Sequence, residues 1–240
     1  MCSNEKLKRI TQFAKTKATI VWEYYRAELF ICLTIILVLI SQAWQMSTAK
    51  DVALRTVFLN VSRKSETCDE YINSFAQKIQ LDTDKYCITT DTTMMFSLDL
   101  IGDEATYTAH QKLGILFTAG EVDVFAADAD AFLHYAYFDY FSDLRTVFTP
   151  EQLESLRHLL YYIDGRILEE EQSYDNPATP RPSPTEPEKM QEPIPIGLMI
   201  PSDSEFSHNY TIAGDIDIVG IGCTSPTVEL AAEFILYILP

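Results

Sequence analysis

The sequence predicts an α/β fold: an N-terminal transmembrane helix, followed by an extracellular domain with a parallel or mixed βαβ sheet. Two observations support this prediction. Segments rich in β-branched and aromatic residues alternate with segments whose apolar residues recur at helical spacing, which is typical of βαβ units. One unbroken apolar run, residues 29–40, lies near the amino terminus. The 194 residues from 47 to 240 are enough for one substantial core.

The apolar run (LFICLTIILVLI) predicts the transmembrane helix. Its 12 residues cover only ~18 Å of a ~30 Å bilayer core, so we extend the helix to residues 27–46. Six basic residues precede the run, which predicts that residues 1–26 are a cytoplasmic basic segment and that the rest lies outside the cell. The lipid bilayer is thus the first predicted partner. A cleaved signal peptide, whose apolar region has a similar length, is the alternative.

The chain is strongly acidic, with a formal net charge of −17. Residues 1–46 hold six of its 18 basic and three of its 35 acidic residues, which leaves −20 on the remainder. So acidic a surface repels nucleic acid and anionic lipid headgroups, and we exclude both as ligands. The charge is typical of an exported, soluble surface, and a cationic ligand or calcium is the alternative interpretation.

The first βαβ unit has the clearest pattern. Residues 52–61 (VALRTVFLNV) are β-rich and predict a strand, and residues 85–90 (KYCITT) predict the next. Between them Thr67 and Glu70 form a capping box. The apolar residues that follow this start recur at helical spacing and predict a helix: Cys68, Tyr71, Ile72, Phe75 and Ile79.

The middle of the chain predicts three helices and one strand. Residues 105–119 predict a helix that ends at Gly120. Residues 122–127 then predict a short buried strand, and Asp128 caps a helix that reaches residue 137. Another helix starts at residues 149–152 (TPEQ), with a cap, a proline at the first position and Gln at the third. Its apolar face would comprise Leu153, Leu156, Leu160 and Ile163.

The composition changes at residues 169–193, where six prolines lie among acidic and small polar residues. This segment offers no apolar stripe, so we predict a disordered Pro- and Glu-rich loop. Strands follow at 194–200 and 217–222, and Ser225-Pro226 begins the last helix. The extracellular domain therefore comprises residues 47–168 and, after the loop, its closing strands and helix in residues 194–240.

Two stretches resemble a known family. GEVDVFAADADAF with the later YFSDL, and IVGIGCTSPTVELAAEFILYIL, resemble parts of extracytoplasmic solute-binding proteins of the type II periplasmic-binding fold. The chain is also similar to single-pass membrane proteins of Gram-positive bacteria. The resemblance implies a membrane-tethered module that binds a small molecule or an envelope protein without catalysis. The space for a second lobe is short, so a degenerate single-lobe interaction protein without a small-molecule ligand is the alternative.

We predict no enzyme, cofactor or metal site. The sequence has no GxSxG, HExxH, P-loop or GxGxxG motif, and its histidines are scattered. Open α/β sheets bind ligands at the carboxyl ends of their strands. This rule selects the candidate ligand-binding residues Asn60, Arg63, Thr90, Asp128, Thr224 and Ser225, each of which could instead be an ordinary cap or turn residue.

Three cysteines lie beyond the apolar run: Cys68, Cys87 and Cys223. An odd number, widely spread, is not a disulfide framework. In a parallel sheet Cys68 and Cys87 lie at opposite edges, whereas Cys223 lies at the edge of Cys68. We therefore expect Cys87 to be free and Cys223 to be the only partner within reach of Cys68.

Overall fold

Six strands form one mixed sheet in the part of the chain that the structure describes. The structure is a computed structural model, and it describes residues 25, 27–28, 30–42, 44, 50–64, 68–97, 103–167, 182–213 and 216–239. The chain divides into two units, residues 1–50 and 51–240. In the first unit, residues 30–42 are helical. No helix among the described residues is both long and apolar enough to span a bilayer.

The second unit begins as the pattern predicts. Its first elements are β1 (Asp51–Phe58), β2 (Val61–Arg63), α1 (Cys68–Lys78), β3 (Tyr86–Asp91), α2 (Glu104–Thr118), β4 (Val124–Asp128) and α3 (Ala129–Ala136). Both β3 and β4 pair with β1 in parallel. The predicted βαβ arrangement is therefore confirmed for these three strands.

The rest of this unit completes the sheet with antiparallel strands. It comprises α4 (Pro150–Ser155), β5 (Leu160–Asp164), β6 (Pro193–Ile200), α5 (Glu205–Asn209), β7 (Tyr210–Ile212), β8 (Asp217–Ile221) and α6 (Val228–Ile238). The sheet order is β3-β1-β4-β8-β6-β5, and β2 pairs with β7 in a separate ribbon. Because β8 is antiparallel to β4 and to β6, the α/β fold has a mixed sheet.

The sheet is buried on both faces, which explains why β4 is almost entirely apolar. On one face Phe58 packs in a cluster with Phe75 of α1 and Phe234 of α6. On the other, Phe125 packs in a cluster with Phe117 of α2. The sheet is thus the central layer between two layers of helices.

The predicted helix from Thr149 through Ile163 is wrong in its second half. The capping box at Thr149 and Gln152 forms, but α4 ends at Ser155 and a strand begins at Leu160. Leu160 packs on one face of the sheet, whereas Tyr161 and Ile163 pack on the other. A short apolar run is compatible with both the 3.6-residue period of a helix and the 2-residue period of a strand. Here the side chains pack on both faces of the sheet, which favours the strand.

Part of the segment 169–193 is ordered, against the prediction of a disordered loop. Residues 182–193 are described, and the Tyr162 amide donates to the carbonyl of Pro184 at 2.8 Å. The buried Asp164 carboxylate accepts from the amides of Gln191 and Glu192 at 2.8 and 3.1 Å. The prediction rested on the absence of an apolar stripe, but hydrogen bonds from and to the backbone attach residues 182–193 to β5. Residues 168–181 lie outside the described residues.

Cys68, Cys87 and Cys223 are all free. Cys68 begins α1, beyond the carboxyl end of β1, and its thiol donates to the carbonyl of Asn209 at 3.2 Å. Cys223 follows β8, whose direction is opposite to that of β1. The two thiols therefore lie at opposite edges of the sheet, and the expectation that they share an edge is wrong.

Candidate functional site

The carboxyl ends of β1 and β4 meet at one edge of the sheet, where Asn60 and Asp128 lie side by side. The Asn60 Nδ2 atom donates to Asp128 Oδ2 at 2.8 Å. The same carboxylate caps α3, because its Oδ1 accepts from the Ala131 amide at 2.9 Å. The structure thus brings together two of the six candidate residues, chosen only because they follow parallel strands.

Asn60 is held in one orientation by further bonds. Its backbone has a φ of 58°, in the left-handed region that Asn tolerates better than most residues. Its side-chain amide makes a reciprocal pair with the Phe96 backbone: Nδ2 donates to the Phe96 carbonyl and Oδ1 accepts from the Phe96 amide, both at 2.7 Å. The residue therefore joins the end of β1 to the segment that follows β3.

Asp217, the first residue of β8, is the register partner of Asp128 in the antiparallel β4–β8 pair. Side chains of register partners project from the same face with Cβ atoms ~5 Å apart, and like charges placed so are destabilising. Lys64 is a compensating positive charge that acts on Asp217, and its ammonium donates to the Ser207 carbonyl at 2.5 Å. Asn60, Asp128 and Asp217 are named here the edge cluster.

The carboxyl group of Asp217 is correspondingly perturbed. Burial, and then the neighbouring Asp128 carboxylate, raise its pKa from the ordinary value of 3.8 to about 6, while Lys64 acts in the opposite direction. The folded state therefore holds this proton more tightly than the unfolded chain does. The free energy of unfolding consequently falls as the pH rises from 3.8 to about 6, the ordinary and the raised pKa of this carboxyl. Above pH ~6 the full loss of stability remains.

We expect Asp217→Asn to stabilise the protein at alkaline pH. The substitution removes the charge that burial and Asp128 disfavour, so at pH ~8 the free energy of unfolding should rise by about 1–2 kcal/mol, allowing for screening of a half-exposed side chain. At pH ~3, below the ordinary value of 3.8, the carboxyl is protonated in both the folded and the unfolded state, and the gain should vanish. Urea denaturation at both pH values measures this. The exposed Asp203→Asn is the matched control, and an equal gain in both variants would contradict the account.

Two other candidate residues near this edge have structural partners. Arg63 forms an exposed ion pair with Asp69 at 3.2 Å, a contact worth little in stability. The Thr90 hydroxyl accepts from the Thr56 hydroxyl at 2.9 Å across the β1–β3 pair. Both side chains are therefore engaged within the domain, outside the edge cluster.

Thr224 and Ser225 lie at the opposite edge, so the prediction that they join the other candidates is wrong. They follow β8, and its antiparallel direction places them beside the amino end of β4. The Thr224 hydroxyl donates to the Phe117 carbonyl. The Ser225 hydroxyl donates to Asp123 Oδ1 at 2.6 Å, and the other oxygen of this buried carboxylate accepts from the Arg55 amide at 2.7 Å.

Sequence reasoning missed Asp217 because it treated β8 as parallel, which places its first residue at the far edge. Between β6 and β8 the chain forms α5 and β7, which lie along the carboxyl edge, and it does not cross over the sheet in a helix. Because the chain enters β8 from the edge at which it left β6, β8 is antiparallel to β6. Within the described residues, no group of three or more His, Cys, Asp or Glu side chains could hold a metal ion. The edge cluster offers two carboxylates and an amide, which can bind hydrogen-bond donors.

The fold and the edge cluster define an α/β protein with a mixed six-stranded sheet and polar side chains gathered at the carboxyl ends of its parallel strands. Comparison with known proteins finds no matching family model, no similar curated protein and no similar solved structure.

Proposed function

We propose that residues 51–240 are a solute-binding-like extracellular module that binds a ligand at the carboxyl edge of its sheet without catalysis. The observation that carries this proposal is the edge cluster, in which Asn60 is fixed by three hydrogen bonds beside two opposed carboxylates. A carboxylate pair held at a cost in stability is typical of functional sites. A ligand that donates hydrogen bonds or carries positive charge would offset that cost.

A thermal-shift screen of the full-length chain tests this proposal. Sugars, amino acids, short peptides and cations are added singly at pH ~7.5. A ligand of the folded state at ~100 times its Kd stabilises by ~2.7 kcal/mol, which is readily measured. We expect at least one class to stabilise the wild type and to lose most of its effect in Asp217→Asn. Stabilisation that is equal in both proteins, or absent for every class, would contradict binding at the edge cluster.

The alternative is an envelope interaction protein with no small-molecule ligand, and one surface favours it. Tyr107 and Ile115 are 56% and 69% exposed and lie two turns apart along one side of α2, and Phe138 is 47% exposed. Exposed apolar groups of this size on a soluble domain mark interaction sites when they are contiguous. A pull-down from membranes with wild type and Ile115→Glu tests this alternative, and a partner lost only from the variant would support it.

We also propose that the domain is tethered by a helix over residues 27–46, with the amino terminus in the cytoplasm. The apolar run at 29–40 and the six basic residues before it support this orientation. Protease added to intact cells should therefore remove the bulk of the chain and leave a short amino-terminal stub. A chain that resists protease outside and is digested only after lysis would reverse the orientation.

A further inference from the structure

The two border strands of the six-stranded sheet differ in what lies beyond them. The sheet order places β3 at one border and β5 at the other. Beyond β5 lies the segment before β6, since the Tyr162 amide donates to the Pro184 carbonyl at 2.8 Å. β3 pairs with β1 on its inner side, and no strand in the described part of the chain pairs with its outer side. Such a strand presents unpaired backbone groups to which another strand can bind.

The pairing with β1 determines which backbone groups of β3 point outward. The Asp51 amide donates to the Lys85 carbonyl at 2.9 Å, so Lys85 faces β1. In a parallel pair every second residue directs its amide and its carbonyl to the neighbouring strand. Because the register along β3 is continuous, this alternation directs the backbone groups of Tyr86, Ile88 and Thr90 away from β1.

The side chains of β3 do not protect this border. Residues 86–90 (YCITT) include no proline and no charged residue, although both are common on protected border strands. Four of these five residues are aromatic or β-branched, the types that favour strands. Tyr86 is 41% exposed, and Thr89 is also exposed. The outer side of β3 is therefore suited to a further strand.

The sequence of β3 is complementary to itself when two copies run antiparallel. We place Ile88 opposite Ile88 of a second copy, because this register overlaps the whole of residues 86–90. The flanking residues then form three kinds of pair, each made twice: Tyr86 with Thr90, Cys87 with Thr89, and Lys85 with Asp91. Aromatic–β-branched pairs and opposite charges across antiparallel strands are stabilising. Charge complementarity at both ends therefore favours a second copy as the occupant.

The Asp91 carboxylate has room for a second cation. Its Oδ1 atom accepts from the amide and the hydroxyl of Thr93 at 2.9 and 2.6 Å, and its Oδ2 atom accepts from Lys112 at 2.8 Å. A carboxylate has about four acceptor sites, so one remains on Oδ2. The Lys85 side chain is 74% exposed and lies 3.4 Å from Asp82 in a surface ion pair, which it can exchange for Asp91 of a second copy.

We propose that two copies of the chain associate through the outer sides of their β3 strands and join their sheets into one. Each Ile88 amide donates to the Ile88 carbonyl of the second copy, and each Thr90 amide donates to the Tyr86 carbonyl. The Tyr86 amide keeps its own partner, the Asp82 carbonyl at 2.9 Å. The same patch serves both copies, so the contact is closed and the assembly stops at two. β3 shares no residue with the edge cluster, and the proposal does not depend on ligand binding there.

A disulfide trap tests the register of this pair in the full-length chain. Cys87 and Thr89 face β1, so across the new contact they form non-hydrogen-bonded pairs with Cα atoms ~4.5 Å apart, within the range of a disulfide. Thr89→Cys oxidised with diamide should give a covalent dimer, in which peptide mapping finds position 89 joined to Cys87 of the second copy. Thr90→Cys is the matched control: it projects from the other face, opposite Tyr86, and should not join Cys87. Absence of the link between positions 87 and 89 would overturn the proposal.

Sedimentation velocity of the full-length chain over a concentration series measures the association without a cross-link. We expect the wild type to shift toward dimer as its concentration rises. Lys85→Glu should weaken the dimer about tenfold, because it replaces two attractions with Asp91 by two repulsions. Lys189→Glu is the matched control, since both lysines form exposed ion pairs three residues apart within their own chain. A chain that stays monomeric throughout, or a dimer that Lys85→Glu leaves unchanged or weakens no more than Lys189→Glu does, would overturn the proposal.

Discussion

Replacing Asp164 by Ala should lower the free energy of unfolding by at least ~3 kcal/mol. The carboxylate is 4% exposed and accepts from three backbone amides, those of Arg166, Gln191 and Glu192, at 3.2, 2.8 and 3.1 Å. Hydrogen bonds to a charged group contribute ~1.5–3 kcal/mol each, and loss of the common acceptor leaves all three amide donors without a partner. Chemical denaturation measures the change.

The same substitution should also free the segment before β6. Asp164 closes β5 and holds the chain just ahead of Pro193, so amide hydrogen exchange at Gln191 and Glu192 should accelerate well beyond the global change. Glu154→Ala is the matched control, since this side chain is 75% exposed and its ion pair with Arg157 is a surface contact. A cost no larger than that of the control would show that the carboxylate does not hold the segment.

Asn60→Ala should cost about 4 kcal/mol. The substitution removes the bonds to the Phe96 backbone and to Asp128, and it places a Cβ-bearing residue without a polar side chain at a φ of 58°. Each of the three bonds, two to the Phe96 backbone and one to the Asp128 carboxylate, contributes at least ~1 kcal/mol, and the left-handed backbone costs such a residue another ~1–2 kcal/mol. Urea denaturation of the full-length chain measures the sum.

Asn60→Gly separates these two contributions. Glycine adopts the left-handed backbone without strain but loses the same side-chain bonds, so it should cost about 1 kcal/mol less than Ala. Ligand stabilisation at the edge cluster should be lost in both variants. If Gly and Ala have equal cost, the backbone conformation contributes nothing, and if both are neutral, the amide does not organise this edge.

The parallel half of the fold could be read from the sequence because its signals are local. The capping box at Thr149 and the Asp128 cap of α3 both form as predicted, and so do strands β1, β3 and β4. Each of these depends on hydrogen bonds or periodicity within a dozen residues. For the same reason Asn60 and Asp128 could be chosen as neighbours, because parallel strands bring their carboxyl ends together.

Strand direction could not be read in this way. The run of β8 is apolar and buried, so it has no alternation that distinguishes parallel from antiparallel pairing. Its direction depends on where α5 and β7 carry the chain, and that depends on long-range packing. One wrong direction moved Thr224, Ser225 and Cys223 to the wrong edge and hid Asp217. The short helix α4 and strand β5 were likewise decided by packing on the two faces of the sheet.

The most direct test is to locate where a ligand protects the folded chain. Hydrogen exchange of the full-length protein is measured with and without each compound that stabilises it in the thermal-shift screen. Binding at the carboxyl edge predicts slower exchange in residues 58–64 and 126–131, and unchanged exchange in residues 222–227 at the opposite edge. Protection confined to residues 222–227, or protection of neither edge by any stabilising compound, would contradict the proposed binding function.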